Sequence, residues 1–292
     1  MKIIDAHLHM KKVDIFDALC LKNGHSNNFP HLMECFKREN IVGCVVMGSG
    51  RFEENPCQPG LFDLSGAVDL DNYQYPSSVG FCVGVNPEGL TPGKREATLA
   101  AYRKAAECPN CLGFKVYLGY RPFYADDSLY HPVYELALAY NLTVAFHTGD
   151  TANPTGRLKF SHPLTVDEVA VRYPDLRIVL CHFGNPWLLD AAEVSKKNPN
   201  VFIELSGLAV GIPEVGAFRS RYKGYVEQLE SWLAYLDRWD HVLYGSDWPL
   251  VNIPAYIALI RSFVPPDEWE RVFYKNALDA YPRLQDLLAD LG

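Results

Sequence analysis

The chain opens with Ile3-Ile4-Asp5-Ala6-His7-Leu8-His9, which places two imidazoles one residue apart. The β-branched pair in front of them reads as a strand. Residues two apart on a strand share a face, so His7 and His9 project together. Two imidazoles held on one rigid strand form a clamp for a divalent metal. Alone, the pair could equally be two hydrogen-bonded core histidines. The odds change with the polar residues that end later apolar runs: Lys115 in Gly113-Phe114-Lys115-Val116-Tyr117, His147 in Phe146-His147-Thr148-Gly149-Asp150, His182 in Cys181-His182-Phe183-Gly184, and Asp247 in Gly245-Ser246-Asp247-Trp248-Pro249. Singly, each has a plain reading, a satisfied core histidine or an Asp capping a turn before proline. Lys115 is the hardest to dismiss, because an ammonium on an inward strand face must be paired, neutralised or modified.

These residues need elements that bring them together. The pattern predicts strands at 41–47, 78–85, 111–118, 142–147, 176–182, 201–206 and 241–247 after the first one, with helices at 29–40, 94–107, 133–141, 165–173, 187–197 and 225–238 between them and helices over the remainder of the chain. Eight apolar strands alternating with helices predict parallel pairing and a closed α/β barrel of the (β/α)₈ TIM type. A doubly wound sheet would carry a glycine-rich phosphate turn after its first strand, where this chain has His9-Met10-Lys11-Lys12. In a barrel the C-terminal strand ends meet at one mouth, so His7, His9, Lys115, His147, His182 and Asp247 converge from five strands. Gly113, Ala145 and Gly245 stand two residues before three of them, and small residues there are expected to leave room for a metal and its water. The Pro-, Gly- and Asp-rich stretch from Arg51 to Pro76 follows the second strand and is expected to lie over the mouth. Glu204 and Ser206 also fall near the mouth, with their inward direction undecided.

Composition sets the outer bounds. At 292 residues and 48% hydrophobic content, the chain can bury one large core, and a single domain over 1–292 is expected. A formal net charge of −8 argues against nucleic acid or an anionic membrane as partner; a small-molecule substrate and a homo-oligomer both remain compatible. No apolar run reaches the ~20 residues of a membrane span, and the chain enters its first strand without a signal-like segment, so a cytoplasmic location is expected. Eight cysteines in a chain this long, several of them in apolar strands, read as buried free thiols. Cys108-Pro109-Asn110-Cys111 lacks the second pair that a zinc site needs.

The combination of His-x-His on the first strand, histidines ending the fifth and sixth, and an aspartate ending the eighth resembles the amidohydrolase superfamily. The Asp5-Ala6-His7-Leu8-His9 opening, the Cys181-His182-Phe183-Gly184 turn and Gly245-Ser246-Asp247-Trp248-Pro249 are most similar to its amidohydrolase-2 branch, which includes decarboxylases and lactonases. The resemblance runs from about residue 2 to about 280. For a mononuclear member it implies that His7, His9, His147 and Asp247 hold the metal and that His182 acts as acid/base. For a binuclear one it implies a carbamylated Lys115 between two ions, with His182 as a further ligand. A bare Lys115 gripping a substrate carboxylate is equally reasonable chemistry. Tyr117, Arg121 and Arg157 are assigned to the substrate, since loop arginines at the mouth suit bidentate recognition of a carboxylate.

Zinc suits three imidazoles and a carboxylate best, and manganese is compatible. A water activated there would attack a lactone, ester or amide carbonyl, with Asp247 taking its proton and His182 orienting it. Two other readings stand beside this one: non-oxidative decarboxylation of a small carboxylic acid, and metal binding without turnover.

Overall fold

A computed structural model describes residues 1–11, 13–48 and 76–289. The stretch expected over the mouth, Arg51 to Pro76, falls outside the described residues except for Pro76 itself. Eight parallel strands follow in chain order around one sheet: β1 Ile3–Leu8, β2 Ile41–Met47, β3 Val79–Gly84, β4 Cys111–Val116, β5 Thr143–His147, β6 Ile178–Cys181, β7 Val201–Glu204 and β8 Val242–Leu243. Nearly every strand residue is buried, as expected of parallel strands covered on both faces. The circle closes between the first and last strands through backbone bonds from Ala6 N to Tyr244 O (3.0 Å), Asp247 N to His7 O (2.8 Å) and His9 N to Trp248 O (2.8 Å). The fold is the predicted TIM barrel.

Helices pack outside: α1 Asp14–Lys22, α2 Phe29–Glu39, α3 Arg95–Glu107, α4 His131–Ala139, α5 Leu164–Arg172, α6 Leu188–Lys197, α7 Val215–Arg221, α8 Lys223–Leu236, α9 Ile253–Arg261, α10 Asn276–Ala280 and α11 Arg283–Ala289. Local chemistry sets several ends. The Asn28 side chain accepts from His31 N, Pro30 occupies the first turn, and Asn40 ends α2 in the left-handed region (φ 58°). Asn252 caps α9 in the same way. Two helices, α1 and α7, were not expected from the sequence pattern.

The alternating strand faces divide the core. Ile3, Val46, Phe81, Phe114, Phe146, Leu180 and Ile203 pack outward under the helices. Ile4, Val45, Cys82, Ala145, Val179, Cys181 and Leu243 form a second cluster inside, joined by Ala277, Ala280 and Tyr281. The C-terminal helices cover the N-terminal face of the barrel, where Arg283 donates to the carbonyls of Ala106, Cys108, Cys111 and Tyr140. The opposite face is left for chemistry.

The small residues beneath the site do something other than expected. A Cβ on Gly113 would stand 2.1 Å from Thr143 O, and one on Gly245 would stand 2.8 Å from the Cβ of His7. The space below the site is therefore filled by close-packed neighbours, not open to a metal and its water. Strand ends also differ: the extended run of β8 stops at Leu243, so Ser246 and Asp247 lie in the loop that makes the seam with β1.

Candidate metal centre

β1 and the loop after β8 bring three ligand-type atoms together. His7 Nε2 and His9 Nε2 lie 3.4 Å apart, and Asp247 Oδ1 stands 3.4 Å from the first and 3.2 Å from the second. Bonds of about 2.1 Å from a tetrahedral ion imply ligand atoms about 3.4 Å apart, so the triangle has the dimensions of one coordination face. His7 and Asp247 are buried and His9 is partly exposed, which leaves one side open toward the mouth. The donor set suits a borderline cation such as zinc or manganese. A second group, His7, Cys181 and Glu204, also has its ligand atoms close together. It is the poorer fit, because the sulfur there contacts the Lys115 ammonium and the carboxylate is taken by other donors.

A hydrogen-bond chain fixes the tautomers behind the triangle. Glu204 Oε1 lies 2.5 Å from both His7 Nδ1 and Ser206 Oγ, and Ser206 Oγ lies 2.8 Å from His182 Nδ1. The serine hydroxyl donates to the carboxylate, so it accepts from His182 Nδ1–H, while His7 Nδ1–H donates to Glu204. Both rings therefore keep an unprotonated Nε2. A carboxylate behind a metal-facing histidine holds its orientation and raises its basicity. Sequence alone left open whether Glu204 or Ser206 faces inward. Both do: Glu204 ends β7, and Ser206, two residues on and just past the strand, turns its hydroxyl to the same side. Asp5 adds a further brace, its Oδ1 accepting from Ser246 N (2.8 Å) and His7 N (3.2 Å), which ties β1 to the β8 loop.

Burial sets the charge states. It pushes the His7 and His182 pKa values well below the usual imidazole range, helped at His7 by Lys115 and at His182 by His147. Burial, with Lys115 next, takes His147 down to about 3. The rings are thus neutral and available as ligands or proton acceptors. Burial raises Glu204 to about 7 against the opposing pull of Lys115 and Ser206. Two donors on one oxygen mark it as the ionised acceptor.

Two of the site residues sit on left-handed backbone, His182 at φ 64° and Asp247 at φ 59°. L-residues pay roughly 1–2 kcal/mol for that region, and such outliers concentrate where a side chain must be aimed. Gly207 shares it (φ +65°), and a Cβ there would stand 2.6 Å from His182 Nδ1.

The remaining predicted residues divide. His147 stands beside His182, ring centroids 4.9 Å apart, and its Nε2 donates to Asp150 O at 2.8 Å; it lies outside the three-atom group. Lys115 is fully buried against Cys181 and takes no part in either group. A cavity of about 800 Å³ opens beside His9, walled by Phe16, Met47, Tyr117, Tyr120, Tyr130 and Arg121 among others. Tyr117 donates to Gly48 O (2.6 Å), and Arg121 pairs with Glu88 at 3.0 Å. Arg157 is exposed and does not reach the cavity wall. Phe16 and Tyr120 were missed from sequence; Phe16 belongs to the unexpected α1, and Tyr120 packs 4.9 Å from His147.

Known structures share this architecture. An uncharacterized TIM-barrel protein from Bordetella bronchiseptica superposes with a TM-score of 0.69 at 18% identity, over 98% of this chain and 100% of that one. A probable 2-pyrone-4,6-dicarboxylic acid hydrolase from Acinetobacter baumannii, with citric acid bound, gives 0.62 at 13% identity over 97% and 100%. A 5-carboxyvanillate decarboxylase from Novosphingobium aromaticivorans, in complex with manganese and 4-hydroxy-3-methoxy-5-nitrobenzoic acid, gives 0.61 at 14% identity over 96% of each chain. No curated protein sequence gives a significant match. The amidohydrolase family model matches residues 81–283, well over half the chain. The chain belongs to the amidohydrolase family, in its amidohydrolase-2 branch.

Proposed function

We propose that the protein is a metal-dependent hydrolase of a small lactone, ester or amide. The observation that carries the reading is Asp247. Its Oδ1 completes the triangle with His7 and His9, while its Oδ2 is turned toward Gly207 and the His182 side. In this reading His7, His9 and Asp247 hold one divalent ion, zinc or manganese, and His147 is the fourth ligand through Nδ1, the atom its bond to Asp150 leaves free. A divalent ion there would lower the pKa of a bound water toward ~7 and polarise a carbonyl oxygen. The protein's own groups do the rest. Asp247 Oδ2 takes the proton of the attacking water and returns it to the leaving group. His182, held by Ser206 through Nδ1, presents Nε2 to orient that water. Glu204 keeps His7 in the tautomer that points Nε2 at the site. The apolar and aromatic walls beside His9 exclude bulk water and seat the substrate.

A second reading, non-oxidative decarboxylation of a small carboxylic acid, is favoured by the cavity wall, where Phe16, Tyr117, Tyr120 and Tyr130 suit a flat ring. One panel of lactones and aromatic acids separates the two, scored for acid release against carbon dioxide release. Acid release from a lactone supports hydrolysis; carbon dioxide release without it supports the second reading. The metal centre has its own test. His7→Ala with His9→Ala should strip bound zinc or manganese and leave the far-ultraviolet circular dichroism unchanged. A double variant that keeps its full metal content would end the assignment.

A further inference from the structure

Lys115 has no role in the triangle, and its surroundings are unusual for a lysine. Its side chain is fully buried, and no carboxylate among the described residues lies within ion-pair distance of it. Its single hydrogen-bond contact among those residues is Cys181 Sγ, 2.6 Å from Nζ. The two residues sit on β4 and β6, one strand apart. In register, Lys115 pairs with Ala145 on β5, whereas Cys181 pairs with His147 two residues further along the same strand. The lysine therefore reaches past the small Ala145 side chain to a sulfur one pair nearer the mouth. Cys181 and the neighbouring Cys82 are also fully buried.

The separation is the informative quantity. An N–H···O bond has a typical length of about 2.9 Å, and sulfur is larger than oxygen, so an ammonium donating to a thiol stands farther away than 2.6 Å. Two single bonds to one shared atom of oxygen size, meeting near the tetrahedral angle, span this gap. We propose that Lys115 and Cys181 are the two ends of an oxygen-bridged N–O–S cross-link, formed under dioxygen and opened by thiols. The chemistry balances with dioxygen as the oxidant. The ammonium first releases its proton to solvent, and the resulting amine and the thiol then each give up one hydrogen. Two electrons leave nitrogen and two leave sulfur, and dioxygen takes all four. One of its oxygen atoms becomes the bridge and the other departs as water with the two hydrogens. Four electrons from excess dithiothreitol reverse the step and return amine, thiol and one water. The cross-link removes the cation that offsets the burial of Glu204, the carboxylate behind His7. Oxidation is thereby connected to the triangle without altering any of its three residues.

The test is intact-protein and peptide mass spectrometry on the full chain, held under air and then treated with excess dithiothreitol. The cross-link adds one oxygen and removes two hydrogens, a gain of about 14 Da, whereas a sulfenic acid at cysteine adds about 16 Da. The expected result is the 14 Da gain, lost on reduction, with the peptides carrying Lys115 and Cys181 recovered as one linked species. Cys181→Ser should abolish the gain and Cys82→Ser should keep it. The linked peptide from the wild-type chain decides the matter even if either variant folds poorly. Several results would overturn the proposal: no gain under air, a gain that survives Cys181→Ser in folded protein, a sulfenic acid alone, a loss of about 2 Da from a Cys82–Cys181 disulfide, or a gain of about 44 Da from a carbamate on Lys115.

Discussion

Asp247 holds two positions at once, one oxygen on the imidazole pair and the other toward His182, on a backbone conformation that aspartate tolerates better than most residues. Asp247→Asn keeps the size and one oxygen but loses basicity. General acid–base assistance is worth about 10²–10⁴ in rate, so turnover should fall by that range while metal content, read by elemental analysis, falls modestly. Nearly full turnover would leave Asp247 as a turn residue before Trp248-Pro249. His182→Asn should spare the metal and lower turnover if one ion is bound, and should remove about one ion per chain if two are. Glu204→Gln acts through His7 Nδ1, and loss of such a partner typically costs 10–100-fold in metal affinity; a chelator titration reads it. Much of this was legible in the residues themselves. His7, His9, His182 and Asp247 announce themselves by type and by standing at the ends of apolar runs. Glu204 did not, because parity on a strand says that it shares a face with Ser206 but not which face that is. The Lys115–Cys181 contact was equally hidden, since it depends on the register of three strands.

At the scale of elements, the strands were readable because parallel strands buried on both faces are written as nearly unbroken apolar runs. The helices that escaped notice are the ones with little to bury. In α1 only Cys20 is buried and no side chain caps its start, and α7 has no buried residue at all. Neither leaves the apolar periodicity that identifies a helix. The turn after β7 carries its own prediction. Gly207→Ala forces a Cβ into left-handed backbone and onto His182. It should cost about 1–2 kcal/mol from the backbone alone and should lower turnover, seen as a reduced melting temperature together with reduced activity. A melting curve that matches the wild type would show that the turn relaxes freely. The segment joining α1 to α2 carries another. Burial, aided by the charges of His31 and Arg38, lowers the His25 pKa from 6.5 to about 4. His25 Nε2 accepts from Ile253 N, Nδ1 lies 3.0 Å from His31, and the ring packs on Trp248. The unfolded chain then binds the proton more readily between these two values. This part of the stability is full above pH 6.5 and is lost as the pH falls toward 4. Denaturant melts at several pH values should show that slope, and His25→Gln should flatten it.

For the whole molecule, the two ends of the barrel divide the work. The N-terminal face is sealed by α10 and α11, with Arg283 bonded to four carbonyls. Arg283→Met should destabilise the fold by about 1–3 kcal/mol through the carbonyls it leaves unpaired, with kcat and metal content unchanged in the folded fraction. A loss of metal in folded protein would contradict this division. The opposite face holds the seam where β8 meets β1, and the seam and the triangle are built from the same residues. Asp247 and His7 share a backbone bond 240 positions apart in sequence, and His9 bonds to Trp248 beside it. A cation seated between these side chains would act as a clasp across the join. No partly wound barrel can offer the three atoms together, so ligation and completion of the circle are one thermodynamic event. By mass action, a ligand at 100 times its dissociation constant adds about 2.7 kcal/mol to the stability of the form that binds it. Metal added to stripped protein should therefore raise the melting temperature of the entire chain in a single transition, and the two chain-distant strands should be the last to part.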